Sequence, residues 1–183
     1  YIMRKFGKLS LILVALVAML CGCTQSNIVS PSSGLVEGDG QPDLEVRKDI
    51  DIDWTEVRED LRDKFLEPYG EFADYVMDMD VRYDKDSGLV TLLLPVSHKT
   101  TGEIATVFAQ TVLKEVGTSV STQNFYYEAP EEEDTDGTYY GSYFDDHDVL
   151  VQVFFYDKEG ETDTYLVNDT VKAGEQRALV AQN

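Results

Sequence analysis

Met77-Asp78-Met79-Asp80-Val81-Arg82-Tyr83-Asp84, followed by Lys85-Asp86-Ser87-Gly88 and then Leu89-Val90-Thr91-Leu92-Leu93-Leu94-Pro95-Val96, is the stretch on which the fold turns. In its first part Met77, Met79, Val81 and Tyr83 alternate with Asp78, Asp80 and Arg82, a period of two that predicts a strand with one wet face. The middle four residues are turn chemistry, and the second part is an almost unbroken apolar run that predicts a more deeply buried strand. Together they predict a β-hairpin.

Working outward, Asp53 precedes Trp54-Thr55-Glu56 and sets up a helix N-cap with an acid three residues on. Trp54, Val57, Leu61 and Phe65 then recur at helical spacing, and Pro68 predicts an end near Leu66. After the hairpin, Thr100 and Glu103 offer a second capping box. Ile104, Val107, Phe108, Val112 and Val116 predict a second helix that stops at Gly117. Val120 to Tyr127 reads as a strand, as does Val149 to Tyr156, whose Val149, Val151, Val153 and Phe155 share a face. Asp157-Lys158-Glu159-Gly160 turns the chain, and Thr162 to Val167 returns as the last strand. Asn168-Asp169-Thr170 fits a glycosylation acceptor and reads as a turn. The expected fold class is therefore α+β, a mainly antiparallel sheet with two helices packed on one face in the order α-β-β-α-β-β-β.

The other end of the chain has a different composition. Arg4, Lys5 and Lys8 precede the apolar run Leu9 to Leu20, which is interrupted only by Ser10. About 12 residues is shorter than the roughly 20 needed to cross a bilayer and suits the core of an export signal. The run closes on Leu20-Cys21-Gly22-Cys23, which resembles the lipobox of bacterial membrane lipoproteins. That resemblance implies cleavage before Cys23, a diacylglycerol thioether on Cys23 with further acylation such as palmitate, and a place on the extracytoplasmic face of the cell membrane. Two acyl chains give stable anchoring where one is marginal. The expected organisation is a signal peptide at 1–22, a lipidated cysteine with a flexible Ser-, Gly- and Pro-rich linker at 23–43, and one acidic domain at 44–183. A linker of this length holds a domain about 20 to 25 Å off the surface.

Charge narrows the partners. The 183 residues carry 35 acids, 15 bases and a formal charge of −20; without Arg4, Lys5 and Lys8 the bases fall to 12 and the charge to −23. Such a surface repels phosphate backbones, so nucleic acid is excluded as a partner class. Cys21 and Cys23 are the only cysteines, which leaves the domain without a disulfide or a cysteine zinc site.

Two constellations suggest binding. Glu131-Glu132-Glu133-Asp134-Thr135-Asp136-Gly137 is the densest acidic run, and no Lys or Arg occurs between Lys114 and Lys158. Glu132, Asp134, Asp136 and Gly137 match the first half of a Ca²⁺ loop at alternate positions, although Tyr143 stands where the closing bidentate Glu belongs. Around this run lie Tyr126, Tyr127, Tyr139, Tyr140, Tyr143 and Phe144. Tyr139, Tyr140 and Tyr143 are candidate partner-binding residues, since aromatics beside acids stack on sugar rings or cationic groups. No catalytic pattern emerges. His147 sits among Asp145, Asp146 and Asp148 near Ser142, but a triad is defined by geometry across a fold, and no strained serine elbow is present. The expectation is a non-enzymatic binding or interaction domain for a protein or cell-wall partner, with a Ca²⁺ or small-ligand domain as the alternative and an envelope hydrolase third.

Overall fold

Asp53 starts the first helix as expected. Its carboxylate accepts from the N–H of Thr55 at 2.9 Å and of Glu56 at 3.3 Å, satisfying two of the free donors of α1 (Trp54–Phe65). The N–H of Asp53 donates not to Glu56 but to the side chain of Gln123, 2.8 Å away, at the far end of the second helix. The computed structural model describes residues 47–131 and 137–182, all within a unit that spans Glu45–Asn183. Cys23, the signal segment and the linker lie outside the described residues, as do Glu132, Asp134 and Asp136.

The hairpin forms from β1 (Asp80–Asp84) and β2 (Leu89–Val96), with Asp84 opposite Leu89 and Asp80 opposite Leu93. The Asp84 carboxylate accepts from the hydroxyl of Ser87 and the N–H of Asp86, and these bonds hold its pKa below the usual carboxylate range. Gly88 closes the turn at φ +68°, a left-handed conformation that glycine adopts without strain.

The fold class is α+β with two helices over one sheet, but the sheet is mixed and has four strands. Its order is β1-β2-β3-β4, where β3 is Val149–Phe155 and β4 is Val167–Val171. β1/β2 and β3/β4 are antiparallel, whereas β2 and β3 run parallel from Val90 beside Val149 to Val96 beside Phe155. A parallel pair needs a long crossover, and here it comprises α2 (Gly102–Gln123) and the segment after it.

Several boundaries differ from expectation. β1 begins at Asp80, not Met77, because the N–H groups of Met77 and Asp78 both donate to Pro95 O, which breaks the alternation and leaves Met77 exposed. The cap of α2 is Thr101, not Thr100, with its hydroxyl accepting from the N–H of Ile104. The helix does not stop at Gly117, and Val120 to Tyr127 is not a strand. Phe108, Val112, Val116 and Val120 continue one buried stripe to Gln123. The Ser- and Thr-rich stretch stays helical because this stripe is buried, while Thr118 donates to Lys114 O and Thr122 to Thr118 O, so the hydroxyls find partners within the helix. The return strand is Val167–Val171 rather than Thr162 to Val167. Tyr165 leaves the ladder to stack on Phe154 at 4.9 Å across the opposite sheet face, and Asn168, Asp169 and Thr170 are strand residues, not a turn.

The core lies between the helices and one sheet face, with Val90, Leu92, Leu94, Val96, Val149, Val151 and Val153 meeting Val57, Leu61, Phe108, Val112 and Val116. Leu93, Phe154 and Tyr165 form a smaller cluster on the other face. Gly117 sits where the chain returning through Tyr140 crosses α2: a Cβ there would stand 2.0 Å from the Tyr140 carbonyl oxygen. Its role is close approach, not helix termination.

Candidate functional site

The N-terminal end of α1, the end of β1 and the segment after α2 meet at one place, and each brings an aromatic ring. Trp54 is the first residue of α1, one turn ahead of the buried Val57, so it stands at the margin of the core and is half-buried. Tyr83 points to the core face of β1 by alternation from Val81, but near the strand end, where cover runs out. The two rings stack at 5.2 Å and 19°. Tyr127 follows the turn that ends α2, where Asn124 is buried and its carboxamide binds Ile50 O and the N–H of Tyr126. Tyr143 and His147 come from the short 3-10 turn Ser142–Asp145 and the residues after it.

Tyr143 is the hub. Its ring meets Trp54 edge-on at 5.6 Å and Tyr127 at 4.9 Å, and it lies flat on His147 at 4.0 Å and 4°. Burial among these rings, with the Tyr83 and Tyr127 hydroxyls close by, pushes its phenol far above the ordinary tyrosine pKa, so it stays neutral. Burial raises Tyr127 likewise. His147 Nδ1 lies 2.9 Å from Tyr143 O. A carbonyl only accepts, so Nδ1 carries the proton and Nε2 is left to accept from outside in the neutral ring.

These five rings, with Ile50 and Ile52, line a cup of about 380 Å³ whose polar residues are Lys48, Asp51 and Lys85. Lys48 pairs with Asp146 at 2.5 Å and lies over the Tyr126 ring, 5.6 Å from its centre. Each partner favours the charged form of the other, raising the Lys48 pKa and lowering that of Asp146. Tyr126 and Phe125 extend the aromatic surface outward and are exposed. Rings and polar groups thus share the lining, and aromatic side chains beside a few placed polar groups are one build of a ligand cavity.

Of the three candidate tyrosines, Tyr143 enters this cup. Tyr140 is buried against the C-terminal segment, its hydroxyl donating to Arg177 O at 2.9 Å. Tyr139 is half-buried, and burial, with nearby Asp145, Glu128 and Glu131, raises its pKa. The two arms of the acidic loop are tied at the base. Glu128 N–H donates to Ser142 Oγ at 2.7 Å and Ser142 N–H to Glu128 O at 3.0 Å. Ser142 Oγ thus binds the loop and His147 Nδ1 binds Tyr143 O rather than each other. His98, on the other side, pairs with Asp157 at 3.1 Å and packs on Phe155.

Among the described residues, no group of three or more His, Cys, Asp or Glu side chains is placed to hold a metal ion, and no helix is long and apolar enough to cross a membrane. Sequence reasoning placed Trp54 and Tyr83 only as members of an apolar face. The available signal was their position: each is the terminal ring of its element, next to a cap or a turn. Compared with known proteins, the chain matches no family model, no curated protein and no solved structure at a meaningful level.

Proposed function

We propose that the chain is a lipoprotein anchored through Cys23 at the extracytoplasmic face of a bacterial membrane, and that its domain is a non-enzymatic binding module for a cell-wall polymer, which it holds as a sugar ring in the aromatic cup. One observation carries the reading: Trp54, the chain's only tryptophan, stands half-buried and stacked on Tyr83 at the margin of a ring-lined cavity instead of being closed into the core. A pyranose presents a face of C–H bonds that packs against the negative face of an aromatic ring, while its hydroxyls reach polar groups at the edge. Lys48, Asp51, Lys85 and Nε2 of His147 supply those partners. The acidic surface favours a weakly charged polymer over an anionic one.

Because Trp54 is unique, its fluorescence reports on the cup without interference. Adding the trimer of N-acetylglucosamine to the purified chain should shift Trp54 emission saturably, with a Kd of about 1 mM or tighter. Tyr83→Ala should abolish the shift. No shift, together with no co-sedimentation with purified wall polymer, overturns the binding assignment. The anchor is tested separately by incorporation of labelled palmitate, which Cys23→Ser should eliminate.

A second reading, Ca²⁺ held by Glu132, Asp134 and Asp136, is favoured by Gly137, which follows them at φ +66°, the left-handed turn that a Ca²⁺ loop needs at that spacing.

A further inference from the structure

On the far side of β1 from the cup lies a different cavity, an open groove of about 520 Å³ between α1 and the sheet face that carries no helix. Alternation along β1 turns Val81 and Tyr83 to the core and Asp80 and Arg82 the other way. Arg58 and Arg62, one turn apart on α1, reach the edge of β1 from the helix side. Three of the chain's six arginines therefore meet in one groove of a strongly acidic protein. They are interleaved with acids. Asp80 lies 3.7 Å from Arg58 and 2.8 Å from Arg82, Arg62 pairs with Asp78, and Glu59 and Glu159 complete the lining. Leu93 and Phe154, nearly closed off from solvent, with Pro95 beside them, make the floor.

We infer that this groove binds an apolar amphoteric ligand, one bearing an ammonium and a carboxylate around an apolar group, as a short peptide with free ends or a free amino acid does. The argument is one of exchange. Arg62, Arg82, Asp78 and Asp80 are partly exposed, and ion pairs in such positions contribute little and are easily traded. A ligand carboxylate takes an arginine in the forked geometry that guanidinium favours. The released aspartate then takes the ligand ammonium, so no charge is left without a partner. A purely anionic ligand taking Arg62 would strand Asp78, and a purely cationic one taking Asp80 would strand Arg58 and Arg82. The ligand's own apolar group leaves water against Pro95 and the narrow open parts of Leu93 and Phe154, which adds affinity that water-filled surface pairs lack.

This inference is independent of the saccharide reading, and its test leaves the cup untouched. The purified chain is titrated calorimetrically with Ala-Leu-Ala bearing free ends, with the same peptide acetylated at its N-terminus or amidated at its C-terminus, and with free leucine. The free tripeptide should bind, and either block should weaken it at least tenfold. Leucine binding as tightly as the peptide would identify a free amino acid as the source, and weaker binding a peptide. Arg82→Gln, at an exposed position with little packing to lose, should weaken binding at least tenfold while leaving the circular dichroism spectrum and the N-acetylglucosamine response unchanged. Equal affinity for blocked and free peptides, full affinity in Arg82→Gln, or no heat up to about 10 mM ligand overturns the proposal.

Discussion

Replacing Gly117 by alanine sets two effects of opposite sign against each other, and the structure decides the winner. Gly117 lies inside α2, where alanine is favoured over glycine by about 1 kcal/mol through helix propensity alone. By that rule the variant should be more stable. The Cβ, however, would stand 2.0 Å from the carbonyl oxygen of Tyr140 and 3.2 Å from Cδ of Pro130. Non-bonded carbon and oxygen approach to about 3.3 Å, so the Tyr140 backbone must move by roughly 1.3 Å. It cannot move freely. Gly141 is at φ +100° and a Cβ on it would be 3.0 Å from Glu128 O, while the Tyr140 hydroxyl is bonded to Arg177 O. Overpacking of this kind costs about 1–3 kcal/mol, and a clash with backbone falls at the upper end. The net loss should be about 1–2 kcal/mol, or roughly 3–7 °C in melting temperature for a domain of this size. Differential scanning calorimetry measures it, with Thr118→Ala at the exposed neighbouring position as the control for propensity. The displaced segment leads directly into the turn that carries Tyr143, so Trp54 emission should change as well. A Gly117→Ala protein that melts at or above the parent temperature would refute the close-approach argument and return Gly117 to an ordinary helix position.

Other consequences can be measured on the same material. Asp169 accepts both guanidinium N–H groups of Arg177, at 2.7 and 2.9 Å, and the N–H of Val180 at 3.0 Å, which lowers its pKa. A depressed carboxylate contributes stability that is fully present above its unfolded pKa of about 4 and is lost as pH falls through the lower folded value. Asp169→Asn should therefore remove about 1–2 kcal/mol at pH 7 and flatten the acid limb below pH 4; an acid limb as steep as the parent's would dismiss this pairing as its source. Asp53→Ala should cost about 1 kcal/mol by removing the α1 cap, and chemical denaturation that finds no change would show the cap to be redundant with the Gln123 tie. Ca²⁺ at about 100 times its Kd should stabilise by roughly 2.7 kcal/mol, a shift of about 5–10 °C that Mg²⁺ does not reproduce and that Asp134→Asn with Asp136→Asn abolishes. An unchanged melting point would eliminate the second reading.

What was legible in the sequence is what local rules decide. The cap at Asp53, the hairpin through Gly88 and the strand at Val149 each depend on residues within a few positions of one another. The parallel pairing of β2 with β3 does not, because it depends on where the chain emerges after α2, more than forty residues past the end of β2. The end of α2 departs from local preference for a physical reason: β-branched and hydroxyl residues favour strands in isolation, but the Val112, Val116, Val120 stripe outweighs that preference once a sheet lies beneath. The cup shows the same limit. Periodicity assigned Trp54 and Tyr83 to apolar faces, and they are on those faces. A face does not specify depth, however, and depth separates a core ring from a binding ring. Val57 lies one turn beyond Trp54 and is fully buried, and Val81 lies two residues before Tyr83 and is nearly so. Each ring occupies the outermost position of a stripe that otherwise goes inward. A large ring at the last position of a buried stripe, beside a cap or a turn, therefore has a core on one side and solvent on the other, and a second such ring across the gap turns that edge into a cavity.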